Sequence, residues 1–401
     1  MAAIRGRLQS KTDLRRPDEQ LNCAFVKSIL FIFGTRPEAI KLCPVICRLR
    51  LSCEGLEPRV CVTGQHRSML DQVLGCFDVS PDHDLNLMTP DQTLAQITGR
   101  VLTGVDPILA LERPAMVVVQ GDTTTTMAGA LAAFYRRIPV AHVEAGLRTG
   151  DLARPFPEEL NRVVTGRVAD LHFAPTERAR RNLLAEGIPS ERIFVTGNSG
   201  IDALFHVVDG LEKGKLESSG FPWIDRARKL VLVTAHRREN FGEGIERICR
   251  AIAELARRDD TQIVYPVHRN PKVLGPVTER LGKLANVVLL PPLDYRAFVD
   301  LMRRSYLVIT DSGGVQEEAP SLGKPVLVMR ESTERPEAVE AGTVDLVGDN
   351  PVRIVELAAR LLTDEVAYRR MSMIHNPYGD GHAAERIVDR IAERVARDVR
   401  V

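Results

Sequence analysis

Carboxylates at three places in the first half of the chain stand beside turns rather than in mid-helix, where they could move protons. Asp122 lies in Gln120-Gly121-Asp122-Thr123, Glu144 opens Glu144-Ala145-Gly146, and Glu158 and Glu159 end the loop from Arg154. Asp122 and Glu144 each follow a short apolar run, residues 116–119 and 140–143. Neighbouring ends of parallel strands open onto one crevice, so the two carboxylates could face each other. Closely spaced carboxylates repel when both are ionised, which raises one pKa and prepares an acid/base pair. Plainer roles remain open, Asp122 as a helix cap and Glu144 in a salt bridge with Arg148.

A second constellation is suited to an anion. Asp311-Ser312-Gly313-Gly314-Val315-Gln316-Glu317-Glu318 follows the run 306–310 directly. Two glycines at a strand-to-helix turn allow close approach of a ligand, and the helix start offers free N–H groups to phosphate. Glu318 falls one turn later, where a carboxylate could accept both hydroxyls of a ribose; Asp311 or Ser312 could alternatively be a simple cap. Gly34-Thr35-Arg36-Pro37-Glu38-Ala39-Ile40-Lys41 is a second candidate, with Pro37 suited to a first helical turn and Arg36 and Lys41 bringing charge to the first strand end.

His236 and His268 each follow an apolar run, 230–234 and 262–267. Neither has a partner at zinc-ligand spacing, so an imidazole beside a pyrophosphate is the better use and no metal is expected. His142 and His172 lie inside apolar runs and read as satisfied core groups.

The elements that must position these residues repeat one pattern: an apolar, β-branched run, a Gly or polar turn, then a longer amphipathic segment. In the first half the runs are 28–33, 59–63, 116–119, 140–143 and 192–195; in the second, 230–234, 262–267, 287–290, 306–310 and 326–329. Such runs alternating with helices predict parallel sheets covered on both faces. At 401 residues two domains are the default. The pattern predicts an N-terminal tail over 1–26, one α/β domain over 27–196, a second over 197–381, and a helix over 382–401 returning to the first domain. The stretch 210–227, with the only tryptophan, reads as a loop or short helix.

Composition removes several function classes. A net charge of +1 gives no global attraction for nucleic acid or an anionic membrane. No stretch is apolar enough to cross a bilayer, and the polar, basic start has no apolar core of a secretory signal. Seven cysteines without a CxxC pair predict free, buried thiols in a reducing, cytoplasmic compartment.

From Ser28 to His382 the chain resembles the non-hydrolysing UDP-N-acetylglucosamine 2-epimerases. The likeness rests on residues 33–41, 121–126, 142–150, 157–159, 236–239, 311–318 and 333–337. It implies a GT-B fold, two doubly wound Rossmann-like domains with the active site between them, a homodimer and no cofactor. It also implies reversible conversion of UDP-N-acetylglucosamine to UDP-N-acetylmannosamine, feeding cell-surface polysaccharide synthesis. UDP is expelled as the proton on carbon two is removed, leaving 2-acetamidoglucal, and adds back after protonation from the opposite face. By motif match Asp122, Glu144, Glu158 and His236 are catalytic. Arg36, Lys41, Ser312, Gly313, Gly314 and Arg335 hold phosphates or sugar, Glu318 takes the ribose, and Leu293 and Phe298 flank uracil. Gln65, His66, Arg237 and His268 correspond to a possible allosteric site. Departures are Gln120, where the family often has His, and Ser68 and Asp91, which replace longer or basic side chains. A hydrolysing 2-epimerase, a GT-B glycosyltransferase and a silent nucleotide-sugar sensor are the alternatives.

Overall fold

The computed structural model describes residues 26–64, 67–89, 91–333 and 335–397. Gln65, His66 and the expected tail over 1–25 lie outside the described residues.

The N-terminal sheet contains β1 (Lys27–Phe33), β2 (Leu56–Val62), β3 (His83–Asp84), β4 (Met116–Gln120), β5 (Val140–Val143), β6 (Leu171–Ala174) and β7 (Ile193–Val195). The second contains β8 (Lys229–Thr234), β9 (Thr261–Pro266), β10 (Val287–Leu290), β11 (Leu307–Thr310), β12 (Val326–Val328) and β13 (Val344–Leu346). The orders are β3-β2-β1-β4-β5-β6-β7 and β10-β9-β8-β11-β12-β13. All pairings are parallel. These are two Rossmann-like domains, and the architecture is GT-B.

The central strands are apolar throughout because helices cover both faces. Ile29 to Phe33 on β1 and Val231 to Val233 on β8 are fully buried. The pattern did not reveal β3, β6 and β13. β3 has only two residues, both polar, β13 is a three-residue run interrupted by Asp345, and β6 is the four-residue run that holds His172.

Each order reverses where β1 meets β4 and where β8 meets β11, the crevices in which doubly wound sheets bind ligands. Arg36 and Asp122 follow one pair, His236 and Asp311 the other. The helix Arg36–Ser52 begins in a capping box, with Thr35 accepting from the Glu38 N–H while Glu38 accepts from Thr35.

The helix Ser199–Glu212 follows β7 and packs against Arg36–Ser52, so part of the expected loop over 210–227 is its last turn. Downstream, Phe221 and Trp223 pack edge to face, 5.4 Å between ring centroids. The helix Ala383–Arg397 also packs on Arg36–Ser52, with Arg48 bonded to Glu385 at 2.5 Å. Asp202 accepts from the Ala383 and Ala384 N–H groups at the start of that final helix. Cys43, Cys61 and Cys249 are buried free thiols; Cys47, Cys53 and Cys76 are free but only partly buried.

Candidate active site

Two cavities open at the switch points. The larger, about 640 Å³, carries Lys41, Asp122, Glu144, Glu158, Arg237 and Arg335 on its walls. The smaller, about 290 Å³, is lined by Arg36, His236, His268, Leu293, Phe298 and Ser312 among others. Each draws residues from both domains.

The structure brings Asp122, Glu144 and Glu158 to the larger cavity. Asp122 is no helix cap, since Thr123 caps the following helix. Asp122 Oδ2 instead bonds Arg162 Nη2 at 2.5 Å, and its carbonyl accepts from Asn161 Nδ2 at 2.9 Å. Glu158 is the first residue of the helix Glu158–Val168 rather than a loop residue, while the adjacent Glu159 is buried and accepts the Thr149 and Gly150 N–H groups.

Glu144 is held most tightly. Lys41 pairs with its Oε1, Gln120 donates to its Oε2, and Arg148 is engaged elsewhere, with Glu186 at 2.6 Å. Its backbone is left-handed, φ +61°, a conformation that costs a non-glycine residue free energy and that aims its side chain from the turn. Burial pushes the Glu144 carboxyl up against the pull of Lys41, and the charges of Glu317 and Asp122 add to the rise. Lys41 is thus committed to a carboxylate within the site. Arg335 lies over Gly313, where an added Cβ would come within 2.6 Å of its Nη1. That close approach is what the first glycine of the pair permits.

In the smaller cavity His236 stacks on His268, their centroids 5.9 Å apart. Leu293 and Phe298 supply the apolar wall. Gly313, Gly314 and Glu318 do not line either cavity. Tyr295, which does line the smaller one, donates to Glu318 Oε1 at 3.4 Å. Burial, reinforced by the charge of Glu317, pushes Glu318 up to about 8. The described members of the possible allosteric group divide between the cavities, Arg237 on the larger and His268 on the smaller. Asp91 stands exposed, away from both.

The family model described as UDP-N-acetylglucosamine 2-epimerase matches residues 51–392. The chain belongs to that family. A UDP-N-acetylglucosamine 2-epimerase of Escherichia coli (strain K12) is 57% identical over 366 residues, covering 90% of this chain and 97% of the relative. One from Campylobacter jejuni is 51% identical over 372 residues, covering 91% and 97%. The crystal structure of UDP-GlcNAc 2-epimerase from Neisseria meningitidis bound to UDP-GlcNAc matches with a TM-score of 0.85 at 48% identity, covering 91% of this chain and all of that one.

Within this 2-epimerase family member, several supporting residues escaped the sequence reading. Asp311, the candidate cap, points instead at the His236 loop. Gln120, the departure from the family's usual His, donates to Glu144. Glu38 is buried and accepts from Gly34, Thr35, Thr123 and Thr126, tying the first helix to the turn that carries Asp122. The four-threonine run was the available signal: Thr123 and Thr126 serve that carboxylate. His142 and His172 are both buried; His142 Nε2 reaches the Gly121 carbonyl at 2.7 Å, while neither ring nitrogen of His172 has a hydrogen-bond partner among the described residues.

Proposed function

We propose that this protein interconverts UDP-N-acetylglucosamine and UDP-N-acetylmannosamine by eliminating UDP and adding it back, without hydrolysing the sugar nucleotide. The observation that carries the reading is the meeting of three carboxylates in one cavity, next to a second with an apolar wall, two histidines and Arg36. The first cavity suits a sugar that exchanges a proton, the second a nucleoside. The named ligand of the Neisseria meningitidis structure is of this chemistry.

The proton on carbon two is not acidic enough for direct removal, so its loss is coupled to departure of UDP. A carboxylate takes that proton, the electron pair forms the carbon–carbon double bond, and the anomeric carbon–oxygen bond breaks towards UDP. In the return step a proton is delivered to carbon two from the opposite face, and UDP rejoins the anomeric carbon. The scheme needs acid/base groups on both sugar faces, drawn from Asp122, Glu144 and Glu158. It also needs positive charge and N–H donors at the pyrophosphate, roles this reading gives to His236, Arg36, Arg335 and the Ser312-Gly313-Gly314 turn. The resting Lys41–Glu144 pair supports an acid/base role for Glu144, because Lys41 can stabilise its ionised form after the proton has gone. On the same reading the enzyme works in the cytoplasm as a homodimer and supplies cell-surface polysaccharide synthesis.

Incubation with UDP-N-acetylglucosamine in deuterium oxide, followed by NMR, tests the scheme. Both epimers should appear with deuterium at carbon two. Epimerisation without label would sink proton transfer, and free N-acetylmannosamine with equimolar UDP would identify a hydrolysing enzyme instead.

A further inference from the structure

His142 has no part in the scheme above, yet it lies between the turns that carry two of its carboxylates. It stands on β5, two residues before Glu144, and is fully buried. The neighbouring turn, from the end of β4 to Asp122, is left-handed at Gly121, φ +73°. A Cβ added at Gly121 would lie 3.5 Å from Glu144 Oε2. How this turn is held therefore decides how Asp122 stands to Glu144.

Three successive carbonyls of the turn are each bonded by a side chain from a different element. Thr126 Oγ1, on the helix Thr124–Tyr135, bonds the Gln120 carbonyl at 2.6 Å. His142 Nε2 meets the Gly121 carbonyl at 2.7 Å, and Asn161 Nδ2, on the helix Glu158–Val168, donates to the Asp122 carbonyl at 2.9 Å. Thr126, His142 and Asn161 are all buried. The Gly121 N–H in turn donates to the Val143 carbonyl at 2.9 Å, so residues 142 and 143 grip Gly121 from both sides.

A carbonyl oxygen can only accept, so the bond to Gly121 requires the His142 proton on Nε2. Nδ1 is buried with no hydrogen-bond partner among the described residues, and as the bare nitrogen it leaves no N–H unsatisfied. Burial pushes the imidazole down to about 3; the bond to Gly121 opposes this, while His172, Arg148 and Arg162 add to the fall. The ring is therefore neutral and carries a single proton.

We propose that His142 is a positioning residue: through a proton on Nε2 it locks the Gly121 peptide and so fixes the turn of Asp122 against Glu144 at the end of its own strand. The consequence for turnover rests on the epimerase reading, whereas the contact belongs to the free protein.

Long-range ¹H–¹⁵N NMR of histidine-labelled protein, with His142→Gln assigning the signal by its loss, should show wild-type His142 protonated on Nε2 alone from about pH 8 to about pH 5. Gln can bring an amide N–H close to the place of Nε2, whereas the shorter Asn falls short of the carbonyl; both keep an amide in the buried position. His142→Asn should lose roughly 10²-fold in turnover, the scale of a misplaced catalytic group, and His142→Gln should rescue most of that loss. UDP affinity by isothermal titration should stay near the wild-type value in both, since the turn faces the larger cavity. Turnover alike in the two variants, whether kept or lost, overturns the proposal, as does UDP affinity falling with turnover in His142→Asn or a proton on Nδ1 in the wild type. The wild-type deuterium experiment decides the epimerase reading separately; were it to fail, the tautomer would still decide the hold on Gly121.

Discussion

His236 Nδ1 lies 3.1 Å from Oδ1 of the fully buried Asp311. The same carboxylate accepts the N–H groups of His236 and Arg237 and the amide of Asn240, so it holds both the ring and the loop that carries it. Burial works to raise the Asp311 carboxyl, and the bonds from this loop overcome it, keeping it below the ordinary range. Asp311→Asn retains one acceptor oxygen but presents an amide where the imidazole needs a carboxylate. Turnover should drop at least ~10-fold while the fold survives, since orientation errors at a catalytic group cost this much or more. Circular dichroism and steady-state rates measured on the same sample check it; unchanged turnover would remove Asp311 from the machinery.

Asp122→Asn, Glu144→Gln and His236→Asn should each reduce turnover by more than ~10²-fold, the usual cost of losing an acid/base or charge-stabilising group. Deuterium uptake at carbon two gives a readout independent of net epimerisation. Cys249→Ser, at a buried thiol that lines neither cavity, should leave turnover nearly intact. A residual rate within a few-fold of wild type in Asp122→Asn would clear that residue of the role.

Glu318 offers a test in pH. Its folded-state value of about 8 lies above the ordinary 4.5, so the folded protein holds this proton more tightly than the unfolded chain. The associated stability is fully present below the unfolded value and is lost as pH rises through about 8. Glu318→Gln cannot ionise, so without ligand it should melt higher than wild type near about pH 9 and almost equally near about pH 5. A melting difference that stays constant across this range would contradict the assignment.

Phe298 supplies an aromatic face to the smaller cavity. Phe298→Ala should weaken UDP binding by about 10-fold, the scale of one lost ring contact plus its apolar area. Isothermal titration with UDP measures this directly, and an unaltered affinity would move the nucleoside elsewhere.

Sequence periodicity was enough for the sheets because their strands are buried on both faces and read as unbroken apolar runs. β3 and β13 escaped because edge strands are short and tolerate His83, Asp84 and Asp345. Turn positions carried Asp122, Glu144 and His236 to the strand ends, since parallel strands all point their carboxyl ends one way. What stayed hidden was pairing across long separations. Nothing local in Lys41 says that its partner is Glu144, 103 residues away, and nothing in Asp311 says that it faces back to His236. Such partners are chosen by tertiary packing, which a single chain of letters records only as residue type.

The last helix of the described chain, Ala383–Arg397, rests on its first, Arg36–Ser52, with Ile387 and Ile391 fully buried in the shared core. Synthesis therefore delivers the segment that seals the N-terminal domain only after the whole β8–β13 sheet has been made. Until then the apolar flank of the helix bearing Lys41 is covered only in part, by the helix Ser199–Glu212, whereas the β8–β13 sheet is drawn from one continuous stretch and can close as it emerges. The domain begun first waits for a helix that lies beyond the second.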